Sequence, residues 1–70
     1  MKTVRSEMAG TVIEIKVKEG NTVKPGQELA VLESMKMEIP LISAVGGIIS
    51  RILKNTGDFV NEGDVLFELS

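Results

Sequence analysis

Shifted by 37 positions, this chain lies on itself. Ser6 falls on Ser43, Gly10 on Gly47, Ile15 on Ile52 and Gly20 on Gly57; Val23 falls on Val60, Gly26 on Gly63, Leu29 on Leu66 and Leu32 on Leu69. The identities include every glycine of the first copy and several aliphatics, the residues that decide backbone shape and core packing. No gap is needed, so residues 1–33 overlay 38–70. A unit this small cannot bury the apolar face of its own sheet, so two copies must share one core. Residues 1–70 therefore read as one domain built from the repeats 1–33 and 38–70. The connector 34–37 (Ser34, Met35, Lys36, Met37) is left unconstrained by the repeat.

Each copy reads as short strands and turns. Thr11–Lys18 alternates in part, with Ile13, Ile15 and Val17 on one face, the pattern of a half-buried strand. Lys24-Pro25-Gly26-Gln27 places Pro and Gly as a type II turn wants them. Val23, caught between two turns, is a very short strand. Glu28–Glu33 forms another strand, with Leu29, Val31 and Glu33 on one face and Ala30 and Leu32 on the other. The second copy repeats this as Gly47–Leu53, a double turn over Gly57–Asp64, and Val65–Leu69. Lys2–Glu7 and Ile39–Ser43 are the matching leading strands, and Pro40 puts the latter at a sheet edge. No helical period occurs. The expected fold is all-β: two four-stranded sheets facing each other, or a flattened barrel.

Composition narrows the function. The chain has no Cys and no His, which removes thiol chemistry, Cys-bound zinc, the commonest general base and any Ser-His-Asp triad. A net charge of −2 and two aromatics (Phe59 and Phe67) do not make a nucleic-acid surface, which needs a basic face and stacking rings. No apolar run is long enough to span a membrane, and Met1–Glu7 lacks a signal-peptide core. The expectation is a cytoplasmic domain that is not an enzyme by itself and binds neither nucleic acid nor membrane. The core must be aliphatic.

The connector breaks a local rule. Glu33-Ser34-Met35-Lys36-Met37-Glu38 joins two strands over a span that admits only a hairpin. Yet it lacks the Asn-Gly or Asp-Gly that tight hairpins favour. Such violations mark function. The result is one lysine at a rigid tip between two methionines. A catalytic lysine needs burial or a neighbouring cation to free its amine. The neighbours here are carboxylates, Glu33 and Glu38, which points instead to a lysine acted on by another protein.

Glu33-Ser34-Met35-Lys36-Met37-Glu38-Ile39-Pro40 resembles the biotinylation motif of the biotinyl/lipoyl-attachment family, with Met-Lys-Met at its heart. Gly10, Gly20, Gly26, Gly47, Gly57 and Gly63 also fall at family-like positions, so the resemblance covers nearly the whole chain. It implies a flattened barrel-sandwich of two quasi-symmetric four-stranded antiparallel sheets, with the target lysine on the central hairpin. Lys36 is then the covalent biotin site. Met35 and Met37 flank it for recognition, and Glu33, Ser34 and Glu38 supply the hairpin context. A biotin protein ligase would load Lys36, and the biotin would shuttle a carboxyl group between biotin carboxylase and carboxyltransferase components. Ser34 departs from the Ala common in biotin domains, and the gapless repeat leaves no room for the thumb insertion of some bacterial carriers. Met1 and the closed repeat favour a free-standing biotin carboxyl carrier type, with a terminal domain excised from an acyl-CoA, pyruvate or oxaloacetate carboxylase as the open alternative; as an isolated domain it is expected to be monomeric.

Two rivals stand beside this reading. A lipoyl carrier shares the fold but usually has Asp before the lysine and Ala after it, where this chain has Met35 and Met37; lipoate, alone or in a dual biotin/lipoyl acceptor, is the alternative cofactor. An unmodified barrel-sandwich interaction module is the other. Asp58, Glu62 and Asp64 lack the ligand alternation of a calcium loop, and no glycine pair here precedes a phosphate-binding helix.

Overall fold

The computed structural model describes residues 2–70. Its strands are Lys2–Arg5 (β1), Gly10–Ile15 (β2), Thr22–Val23 (β3), Glu28–Ser34 (β4), Met37–Ile42 (β5), Gly47–Ile52 (β6), Phe59–Val60 (β7) and Val65–Leu69 (β8). They form two four-stranded sheets, ordered β1-β8-β6-β3 and β5-β4-β2-β7, with antiparallel neighbours throughout. A shift of 37 carries β2 onto β6 and β3 onto β7, lays β1 on the last four residues of β5 and starts β4 where β8 starts, and it carries the first sheet's order onto the second. Each sheet draws two strands from each half of the chain, so neither half can complete a sheet alone. Pro40 lies in β5, an edge strand, where its missing N–H costs no ladder bond.

The core follows the same pairing. Buried together are Val4 and Leu41, Val12 and Ile49, Val23 and Val60, Leu29 and Leu66, Ala30 and Phe67, and Leu32 and Leu69, each pair 37 apart. Val17 joins them without a mate, since Lys54 stands at its counterpart. The two aromatics part company. Phe67 is fully buried at the centre, whereas Phe59 is 61% exposed because its neighbour Val60 takes the inward position of β7.

Two bulges shift the faces expected from alternation. Val12 pairs with Leu32 but Glu14 pairs with Val31, so Ile13 is the extra residue of β2. Val12 therefore takes the core and Ile13 is only half-buried, while Ile15 and Val17 still pack inward. Ile13, Ile15 and Val17 do not share one face. In β4 the register slips between Glu28 and Ala30, and Leu29 and Ala30 both reach the core. The four residues Leu29–Leu32 are all buried, in place of the expected alternation.

The turns are built alike in both halves. In each, a side chain three residues on accepts from a backbone N–H: Lys18 to Asn21 Oδ1 (2.9 Å), Lys24 to Gln27 Oε1 (3.0 Å), Asn55 to Asp58 Oδ2 (2.7 Å) and Asn61 to Asp64 Oδ2 (2.8 Å). This is the work of Asp58 and Asp64. Gly26 and its mate Gly63 take φ of 87° and 88°, the left-handed position of a type II turn. Ser6 and Ser43 latch each copy to the other copy's turn. The Ser6 N–H donates to Asp64 O and the Gly63 N–H to Ser6 O; likewise Ser43 donates to Gln27 O and Gly26 to Ser43 O. Both hydroxyls are buried and donate to the carbonyl two residues on, at Met8 and Val45.

Replacing Phe67 by Ala removes the largest buried side chain and should cost about 3–5 kcal/mol. That rivals the whole stability of a chain this size, roughly 3–10 kcal/mol. Urea denaturation checks it, with a midpoint shift at unchanged slope. A loss below about 1 kcal/mol would mean that the two halves do not share one packed centre.

Candidate functional site

The β4–β5 ladder runs from Glu28 opposite Ile42 to Ser34 opposite Met37, which leaves Met35 and Lys36 as a two-residue loop. Their φ values are +53° and +64°. Positive φ at both central residues is the type I′ signature, the turn whose twist matches the flanking strands. Asn-Gly normally occupies it. Met and Lys carry Cβ atoms into the left-handed region, at roughly 1–2 kcal/mol each. Among the described residues these are the two non-glycine positions with positive φ.

The base of the hairpin holds that conformation. β4 is hydrogen-bonded on both sides, to β2 and to β5. Leu32 and Leu41 anchor the two arms in the core. Gly10 lets β2 close against the upper arm, since a Cβ there would stand 2.7 Å from the Glu33 carbonyl oxygen and 3.4 Å from the Ser34 Cβ. Strain persists where the surroundings over-determine the backbone, and such strain collects at functional sites.

The six residues singled out in the sequence occupy the last two rungs and the turn. Glu33 and Glu38 face each other directly and are both exposed. Like charges so placed repel, an arrangement that favours contact with something positive. Ser34 is half-buried against Met37. Met35 is 90% exposed and Met37 63% exposed, although methionine ordinarily fills cores. Lys36 is exposed at the apex, and among the described residues its ammonium has neither an ion-pair nor a hydrogen-bond partner. No wall, base or metal cluster surrounds it: among the described residues no three metal-ligating side chains converge anywhere. The arrangement can present one primary amine to a partner's active site. No helix of the structure is long and apolar enough to cross a membrane.

Sequence reasoning missed a groove beside this hairpin. It is lined by Arg5 at the end of β1, by Glu7 and Met8 from the segment that follows, by Leu32 of β4, and by Ile39–Ile42 of β5. Arg5–Met8 lies more than 20 residues from the other lining residues in sequence, and no local pattern joins them.

A small all-β barrel-sandwich with one lysine exposed at the tip of its central hairpin has the shape of an attachment domain. The comparisons agree. Residues 2–69 match the family described as "Biotin-requiring enzyme". The chain is 54% identical over 68 residues to the biotin/lipoyl attachment protein of Bacillus subtilis (strain 168), covering 97% of this chain and 93% of that one. It is 42% identical over 67 residues to a biotinylated protein of Mycobacterium leprae (strain TN), covering 96% and 94%. Its fold superposes on part of the urea carboxylase of Kluyveromyces lactis with a TM-score of 0.91 at 26% identity, covering 99% of this chain and 6% of that one. The chain belongs to the biotin/lipoyl attachment family. It is a domain of the biotin-carrier type, whose cofactor is covalent biotin and which also occurs inside carboxylase chains.

Since Met35 and Lys36 each hold a disfavoured left-handed φ, changing them to Asn and Gly, the residues a type I′ turn prefers, should stabilise the fold by a net of about 1–2 kcal/mol, the rest being offset by the residual penalty at Asn and the unfolded-state entropy of Gly. That corresponds to a rise of roughly 4–16 °C in Tm for a domain this small. Differential scanning calorimetry of the double variant against the parent measures it; an unchanged or lower Tm would show that the turn stores no strain.

Proposed function

We propose that residues 1–70 form one biotin carboxyl carrier domain whose biotin is joined to Lys36 by a biotin protein ligase. The observation that carries this is the apex of the hairpin: a solitary exposed lysine in a left-handed turn, between two methionines left in solvent. In the loading step the Lys36 Nζ attacks the carbonyl carbon of biotinyl-adenylate. An amide forms, AMP leaves, and the amine gives up its proton. When bound, biotin supplies a ureido nitrogen that carries an activated carboxyl group from a biotin carboxylase to a carboxyltransferase.

The chain's own residues hold and present the amine. Met35 and Met37 offer soft, adaptable apolar contacts on both sides of it. Glu33 and Glu38 give the hairpin an acidic flank, and Ser34 closes its last rung against Met37. Tethering replaces diffusion of free cofactor by an effective concentration near millimolar at each partner site. A rigid, pre-folded tip loses little entropy on docking. The domain is monomeric in this reading, acts in the cytoplasm without catalysing a reaction, and meets its ligase and its carboxylase components in turn.

The test is intact-protein and peptide mass spectrometry after co-expression with a biotin ligase and biotin. One biotinyl amide on Lys36 is expected, with none on Lys2, Lys16, Lys18, Lys24 or Lys54, and none in Lys36→Arg. Incorporation from a lipoyl ligase but not from a biotin ligase would reassign the cofactor to lipoate. Incorporation from neither into folded protein would leave an unmodified interaction module.

A further inference from the structure

We infer that the groove beside the hairpin is a resting dock for the biotin ring tethered to Lys36. This inference rests on Lys36 being the loaded residue. The groove has a volume of about 230 Å³. Pockets for whole drug-sized ligands run from about 300 to 1,000 Å³, so this one suits a small ring system on the end of a chain.

Its place is within reach. The groove includes Leu32 and Ile39, which face each other two rungs below the closing pair Ser34 and Met37. Two rungs span roughly 7 Å. The arm from Lys36 Cα through the amide to the bicyclic ring counts about eleven bonds of ~1.5 Å, ample for folding back. The route is apolar. Met37, Ile39 and Leu41 alternate along β5 on one side of the strand, leading from the tip to the groove. Met8 stands on the opposite wall and is 39% exposed.

The chemistry of the walls matches the ring. A tetrahydrothiophene ring is apolar and asks for aliphatic and thioether contacts, which Leu32, Ile39, Leu41 and Met8 provide. The fused ureido edge is polar: its carbonyl accepts hydrogen bonds and its two N–H groups donate them. Arg5 and Glu7 supply the complements on the rim. Arg5 Nη1 donates to the Gly63 carbonyl at 3.0 Å, which fixes the guanidinium and leaves its other donors for a carbonyl oxygen. The Glu7 carboxylate forms no ion pair among the described residues and can accept one of the ureido N–H groups. An N–H held by Glu7 is sheltered from other chemistry until a partner enzyme draws the arm out.

The experiment compares unloaded protein with mass-verified biotinylated protein by NMR. The dock predicts methyl shifts at Met8, Leu32 and Ile39 on loading, together with NOEs from the ring protons to the Met8 and Ile39 methyls. The double variant Arg5→Gln, Glu7→Gln should load to the same mass, lose those NOEs, and return the methyl shifts toward the unloaded positions. Shifts confined to residues 34–37 in fully loaded protein would overturn the dock while leaving Lys36 as the attachment site. NOEs that survive in the double variant would overturn the part assigned to Arg5 and Glu7. Absence of any biotin mass would remove the premise, and the dock with it.

Discussion

The hydrophobic core shared by the two halves governs everything else in this molecule. Six pairs of aliphatic and aromatic side chains, each pair 37 residues apart, meet between sheets that neither half can finish alone. Hydrophobic burial is the only large favourable term open to so short a chain without disulfides or metal. Once Leu29, Leu32 and Leu41 are fixed in that core, the arms of the β4–β5 hairpin are fixed with them. The two-residue turn that joins those arms must then accept the twist it is given. The backbone strain at Met35 and Lys36 is thus a consequence of packing below, not of any preference of those residues.

How much of this could be read in the sequence depends on how local each signal was. The matched residues Leu29 and Leu66, Leu32 and Leu69, and Val23 and Val60 carry their own announcement, and they lie in the core. Ser6 and Ser43 matched too, and the reason is a pair of buried latches between the halves. Alternation failed in β2 and β4 because a bulge inserts one residue and reverses the phase; nothing in Thr11–Lys18 marks Ile13 as the residue that steps out. Phe59 and Phe67 look alike in composition, yet only the register of their strands sends one outward.

The hairpin was legible for the opposite reason. A missing glycine is visible in a sequence, and at the Met-Lys-Met connector that absence stood out against turns elsewhere that all contain one. The groove was illegible because its walls come from Arg5 at the end of β1, from Glu7 and Met8 beyond it, from Leu32 of β4 and from β5, which the chain brings together only by folding. Arg5, Glu7 and Met8 are unremarkable until the fold sets them beside Ile39 and Leu41. Local chemistry announces itself in a sequence, whereas a surface assembled from two halves does not.

A turn that its own residues disfavour cannot form early. Met35 and Lys36 have no propensity for the left-handed region, so an unfolded or half-folded chain will not display them in that shape. The apex takes its geometry only when β2, β4 and β5 are paired and the core beneath is closed. An enzyme that reads the apex therefore also reads, at no extra contact, whether the chain has finished folding. The left-handed shape of the hairpin is thus a signature of the native state.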